Sequence, residues 1–320
     1  MNKTGKLNTP VLLLIFDRKD FASRIMNVIR QAQPEHLYIA ADGPRNDRPG
    51  HIEICRETRQ FVIDTVDWPC HVETLFRDEN MGCKMAVSSA ISWFFDRVDR
   101  GIILEDDCIP DLSFFEYCQD LLLRYESDER VAAISGDRLV SLGKKFTGWS
   151  YRFSIFSHLW GWATWRRAWA YYDLSMSHWP GLRESSWLER LLTNPDAARY
   201  WRMQLESVYQ GKIDTWDYQW VFACWVNSGL TISPNVNMIS NIGFGPTATH
   251  TKNRGSELAN LRCEQISFPL KHPDSVMRDY DADFEECVRL YQPGSVQRGI
   301  VSVIRRIGRK TASWIIRLLS

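Results

Sequence analysis

The chain predicts an α/β fold built on a doubly wound, mostly parallel sheet, and three observations carry that expectation. Short apolar runs alternate with stretches of helical periodicity. The first and fourth runs contain no polar residue at all, as in strands buried on both faces. Every run then stops abruptly at charged or turn-forming residues, so several strand ends deliver polar groups to one edge. In order, Val11 to Phe16 is the core of a strand over 10–16 that ends at Asp17-Arg18, and Phe21, Ile25, Val28 and Ile29 mark one face of the helix that follows. A second strand over 37–41 ends at Asp42-Gly43-Pro44, and a helix is expected over 51–65. A third strand, 72–76, stops at Arg77-Asp78-Glu79-Asn80, and a helix over 82–96 precedes the fourth strand. That strand, Ile102-Ile103-Leu104, runs straight into Glu105, Asp106 and Asp107, after which Cys108-Ile109-Pro110 leads to a capped helix start near Asp111.

Composition sets the bounds. At 320 residues, 44% apolar and 24% charged, the chain can bury the core of one large domain. Its formal charge is zero, but from Cys287 onward there are seven Lys or Arg and no acid, leaving 32 basic against 39 acidic residues before it. A slightly acidic body argues against nucleic acid as a partner. The eight cysteines form no C-x-x-C pair and have no histidine at zinc-finger spacing, so they read as buried thiols of a reducing, cytoplasmic compartment. The first apolar stretch is too short for a signal-peptide core, and no run reaches membrane-spanning length.

The second half changes character, because most of the fourteen tryptophans fall between Trp149 and Trp225, densest at Trp160-Gly161-Trp162-Ala163-Thr164-Trp165. Such residues either pack a core or line a pocket where sugar rings stack. The segment 297–320 reads as a basic amphipathic helix, with Ile300, Ile304, Ile307 and Trp314 opposite Arg305, Arg306, Arg309 and Arg317. It suits an anionic membrane surface, making the protein peripheral to the inner face of the cell membrane; packing on the body is the alternative. The organisation expected is thus 8–135 as a nucleotide-binding half, 136–290 as the other half of the same domain, and 297–320 as the tail.

The chemistry is carried by the acid cluster. There is no G-x-G-x-x-G after the first strand, no Walker A motif, no G-x-S-x-G elbow and no H-E-x-x-H, which removes the required parts of redox, phosphoryl-transfer and serine-hydrolase readings. Three adjacent carboxylates repel one another, and a divalent cation with a phosphate-bearing ligand would offset that repulsion. Here the sequence resembles a known group. Gly101-Ile102-Ile103-Leu104-Glu105-Asp106-Asp107 followed by Phe114-Phe115-Glu116-Tyr117 is similar to the metal-binding segment of N-acetylglucosaminyltransferase I and its relatives, which are GT-A fold, inverting glycosyltransferases. Asp17-Arg18, Asp42-Gly43, Asn80-Met81-Gly82, Trp216-Asp217, Asn241-Ile242-Gly243-Phe244-Gly245 and Thr249-His250 follow in the same order. Bacterial nucleotide-diphospho-sugar transferases share the Trp-Gly-Trp-Ala-Thr-Trp-Arg and Asn-Ile-Gly-Phe-Gly patterns, over roughly residues 8–270.

The resemblance implies Asp107 as the direct protein ligand of Mn²⁺ or Mg²⁺, with His250 a second candidate, and Glu105 and Asp106 on the nucleoside. It implies Arg18 on the diphosphate or base, Asp42 on the base, and Thr249 toward the phosphates. Lys84, just after Asn80-Met81-Gly82, is a further phosphate candidate, with a solvated helix lysine as the alternative. Trp162 and Trp216 are expected on the acceptor side. Asp217 is the candidate general base that would take the proton of an acceptor hydroxyl in a glycan or lipid-linked acceptor. Asp214 competes for that role, or simply starts the helix that contains Asp217. A UDP-GlcNAc-like donor is the guess by resemblance. Two alternatives stay open: a sugar nucleotidyltransferase, which would want a glycine-rich basic segment after the first strand, and a non-catalytic glycan-binding or membrane-associated scaffold, which would have lost its acids.

Overall fold

The computed structural model describes residues 7–140, 148–244 and 258–291. Thr249, His250 and the tail 297–320 lie outside the described residues. The first half contains β1 (Val11–Ile15), α1 (Lys19–Ala32), β2 (His36–Ala41), α2 (His51–Asp64), β3 (His71–Phe76), α3 (Gly82–Phe95), β4 (Arg100–Glu105), β5 (Cys108–Pro110), α4 (Ser113–Arg124) and β6 (Val131–Ser135). The second half adds β7 (Tyr151–Ser154), β8 (Trp162–Trp165), the short helices α5 (Arg166–Trp169), α6 (Trp179–Leu182) and α7 (Trp187–Leu192), and then α8 (Pro195–Tyr209), α9 (Asp217–Val226), β9 (Leu230–Pro234), β10 (Ile239–Asn241) and α10 (Tyr280–Leu290).

Eight strands form one sheet in the order β3-β2-β1-β4-β8-β6-β9-β7. β3, β2, β1 and β4 are parallel, and so are β6 and β9. β8 runs antiparallel to both β4 and β6, and β7 antiparallel to β9. Because β8 opposes both its neighbours, β6 and β9 point the same way as β4, and the carboxyl ends of β1, β4 and β6 open on one edge. The expected α/β architecture is present, with strands of both halves paired in a single, mostly parallel sheet.

Two-sided burial explains the unbroken apolar runs. Val11, Leu13 and Ile15 of β1 pack into one core with α1 and α4, while Leu12 and Leu14 face a second core under α3, α5 and α9. Burying each such side chain is worth about 1.5–3 kcal/mol, so the sheet centre anchors everything mounted on its edge. A third core, around Trp179, Leu188, Trp201, Leu205, Phe222 and Trp225, joins α6 to α10. α10 is also fixed by ions: Arg152 of β7 bonds Asp283 at 2.9 Å and Glu286 at 3.0 Å, and His158 Nε2 lies 2.7 Å from Glu286. Among the described residues no helix is long and apolar enough to cross a membrane.

Candidate active site

At the carboxyl edge of the sheet lies a cavity of about 350 Å³ bordered by Arg18, Glu105, Asp107, Asp137, His158, Trp160, Trp201, Trp216, Asp217, Asn241 and Tyr291. Another groove of about 360 Å³, beside Pro10, Asp99 and Gln119, has a single carboxylate, Asp99, which is paired with Arg166 at 3.0 Å. Only the first gathers acids from several strand ends, as expected where an open sheet binds ligands.

The acid triplet is divided by its surroundings. Asp106 is only 2% exposed, and its amide bonds Leu14 O at 3.0 Å, continuing the β1–β4 pairing. Its carboxylate is gripped by the Arg18 guanidinium, whose Nη1 also reaches Asp107 Oδ2 at 3.1 Å. Asp106 does not border the cavity, and its carboxylate is engaged in holding Arg18. Arg18 in turn is engaged with two carboxylates. Burial pulls its pKa down, but Asp106 and Asp107 outweigh this and hold the net shift upward. Glu105 and Asp107 do face the cavity. Burial, then the charges of Asp107 and Asp106, pushes the Glu105 carboxyl well above its ordinary range. Asp106 is also raised by burial, against the pull of Arg18.

β5 and β10 explain the Asn-Ile-Gly motif. Their antiparallel pairing places Asn241 opposite Cys108 and brings the next residues across Asp107, whose carbonyl accepts from Ile242 N at 2.9 Å. Gly243 N donates to Asn241 Oδ1 at 2.8 Å. A Cβ on Gly243 would fall 2.1 Å from Asp107 Oδ2, so glycine is what lets the loop close on that carboxylate.

The amino terminus of α3 gathers two of the acids singled out in the sequence. Asp42 accepts from Met81 N at 2.9 Å, Gly82 N at 3.1 Å, Asn80 Nδ2 at 2.9 Å and Gly43 N at 2.9 Å. Asp214, far along the chain, accepts from Cys83 N at 3.0 Å and Lys84 N at 3.1 Å. Two carboxylates thus satisfy the leading N–H groups of α3 and face its positive dipole end. Asp42 therefore caps α3. Asp214 starts α3 rather than α9, so it is not a free competitor of Asp217. Lys84 is half-buried beside this cap and does not border the cavity.

On the other wall, Asp217 opens α9 and borders the cavity. Its Oδ1 accepts from Thr215 Oγ1 and from Tyr218 N, the latter at 2.9 Å. Among the described residues Oδ2 has no hydrogen bond. Trp216 borders the cavity, whereas Trp162 is 1% exposed and stacks beneath it, with ring centroids 5.8 Å apart. Trp162 supports the Trp216 wall and does not form it, because its position on β8 points it into the core.

No family model matches the chain, and no curated protein matches it. Among solved structures it is similar to HddC from Yersinia pseudotuberculosis, at 9% identity and TM-score 0.32 over 50% of this chain and 77% of that one. It is also similar to the inositol-1-phosphate CTP transferase from T. maritima, at 10% identity and TM-score 0.28 over 52% and 74% of the two chains. Mouse xyloside xylosyltransferase 1 in its apo form gives 10% identity and TM-score 0.34 over 68% and 80%. Likenesses at this level are partial and carry no conclusion about chemistry.

Whether these residues suit a divalent cation is a question of the donor set. Among the described residues no group of three His, Cys, Asp or Glu side chains is placed to hold a metal ion by itself. They therefore provide no protein cage, but they fit a hard cation shared with a ligand's phosphates, for which one or two carboxylates suffice. Sequence reading missed Asp137 and His158. Asp137 follows β6 as Asp107 follows β4, so the same strand-end rule was available in Ser135-Gly136-Asp137. His158, Trp201 and Tyr291 carry no local signal and enter through tertiary packing.

Proposed function

We propose that the protein is a metal-dependent, inverting glycosyltransferase that moves a sugar from a nucleoside-diphosphate donor to a hydroxyl of a glycan or lipid-linked acceptor. The observation that carries this reading is the convergence of Glu105, Asp107 and Asp217, from opposite halves of the chain, on one cavity walled by Trp160, Trp201 and Trp216. Acids suit a cation and a proton, and aromatic faces suit sugar rings. The motif order shared with relatives of N-acetylglucosaminyltransferase I supports the same assignment, and a UDP-sugar is the first donor to try.

In this mechanism Asp107 would hold Mn²⁺ or Mg²⁺ together with the donor phosphates, and the ion would supply positive charge against the departing diphosphate. Arg18, held in place by Asp106, supplies a fixed cation on the same side. Asp217 keeps Oδ1 anchored by Thr215 and Tyr218 and offers Oδ2 to the acceptor hydroxyl, taking its proton as the new bond forms. The tryptophans exclude water, which favours transfer over hydrolysis.

A panel of nucleotide sugars with Mn²⁺, read as released nucleoside diphosphate, tests this reading. Activity with one nucleotide class, lost in Asp107→Ala, is expected; no turnover or binding with any nucleotide sugar would refute it.

A further inference from the structure

One carboxylate on the cavity, Asp137, has no part in that mechanism. Asp137 is fully buried, and among the described residues neither of its carboxylate oxygens has a hydrogen-bond partner. The contrast with the capping acids is sharp, since Asp42 and Asp214 each take several backbone amides. Nor is its backbone free to re-aim it. Gly136 N donates to Gly161 O at 2.9 Å, Gly136 O accepts from Met238 N at 3.0 Å, and Arg138 N donates to Asn237 Oδ1 at 3.0 Å. A buried, rigidly mounted and unsatisfied carboxyl group destabilises the fold, and it is retained where a ligand supplies the missing donors. Burial pushes Asp137 up to about 7, opposed by the neighbouring charge of His158.

The identity of those donors follows from what surrounds them. His158 also borders the cavity, and its Nε2 is engaged by Glu286 at 2.7 Å. Burial lowers its pKa, yet Glu286 outweighs burial and favours the charged ring, so cationic charge already stands beside Asp137. Neutral O–H donors match this setting better than a second cation, and two carboxylate oxygens accept readily from adjacent hydroxyls. Trp160, Trp201 and Trp216 border the same cavity. We infer that Asp137 is a specificity-determining residue that accepts hydrogen bonds from the hydroxyl groups of the sugar being transferred. This rests on the nucleotide-sugar reading above.

The test compares each nucleotide sugar with its matching free nucleoside diphosphate, by titration calorimetry with Mn²⁺, on wild type, Asp137→Asn and Asp137→Ala. The ratio of the two affinities is expected to fall about tenfold or more in both variants, with free diphosphate affinity unchanged. Deoxy-sugar analogues lacking one hydroxyl should weaken wild-type binding by a similar factor and the variants little further. An unchanged ratio overturns the inference while leaving the transferase reading intact. Equal weakening of both ligands overturns it too, as a structural effect. If wild type binds no nucleotide sugar, the transferase reading falls and takes this inference with it. Thermal melts exclude misfolding, because the ligand-free variants lose only an unsatisfied group.

Discussion

Asp217 presents two unlike oxygens: Oδ1 is held by Thr215 and Tyr218, and Oδ2 takes no hydrogen bond among the described residues. Asp217→Asn keeps the anchor and removes the basic oxygen. It is expected to lower the transfer rate by about 100-fold or more while leaving donor affinity within about twofold. Near-normal transfer, measured as sugar incorporated into acceptor, would rule Asp217 out as the base. Asp137 makes a prediction about stability. Its folded-state pKa of about 7 lies above the ordinary value of 3.8, so the folded protein retains a proton that the unfolded chain has released. Its contribution therefore falls as pH rises from about 4 to about 7. Its neighbours are His158, Glu286, Arg138 and Cys108, and in the Asp137→Asn variant His158 loses the support of the Asp137 charge while Cys108 loses its repulsion. The melting temperature of ligand-free Asp137→Asn should match wild type near pH 4 and exceed it above pH 7. A difference independent of pH would contradict the assignment.

Among the elements, α3 shows how the second half of the chain is tied to the first. Asp42 and Asp214 share its amino terminus, and Gly82 adopts φ +77 with Asp214 Oδ2 2.9 Å from where a Cβ would sit. Asp214→Ala should cost about 1–2 kcal/mol in denaturant unfolding, and Asp214→Asn less. Because the same segment runs on through Thr215 to Asp217, Asp214→Ala should also slow transfer more than it weakens donor binding. A stability loss with unaltered kinetics would show that the cap does not position Asp217. The early strands and helices were legible because two-sided burial imposes apolar runs, as in Val11 to Ile15, and helix faces repeat, as with Ile25 and Ile29. The caps were not. Asp42 and Asp214 look like any strand-end or loop acid until folding brings them to one helix end, and their partners are remote in sequence.

For the whole molecule, the sheet order decides which strand ends meet. Local periodicity does not reveal that β8 inserts antiparallel between β4 and β6, yet that insertion directs Asp137 to the same edge as Glu105 and Asp107. It also explains why Trp162, on the inserted strand, is core. The buried group of Arg152, Arg278, Asp283, Glu286 and His158 then fixes α10 behind the cavity. Glu286→Ala leaves Arg152 and His158 without a shared partner and should destabilise the protein by about 3–5 kcal/mol in denaturant titrations. A loss below about 1 kcal/mol would mean the network is not integral to the fold. The central claim is that this edge binds a nucleoside-diphosphate sugar together with a divalent ion at Asp107. Calorimetric titration of a nucleotide-sugar panel, with and without Mn²⁺, into wild type and Asp107→Ala tests it most directly. The expected result is saturable binding of one nucleotide class that requires Mn²⁺ and disappears in Asp107→Ala. Binding that ignores both the ion and Asp107, or no binding by wild type, would contradict it.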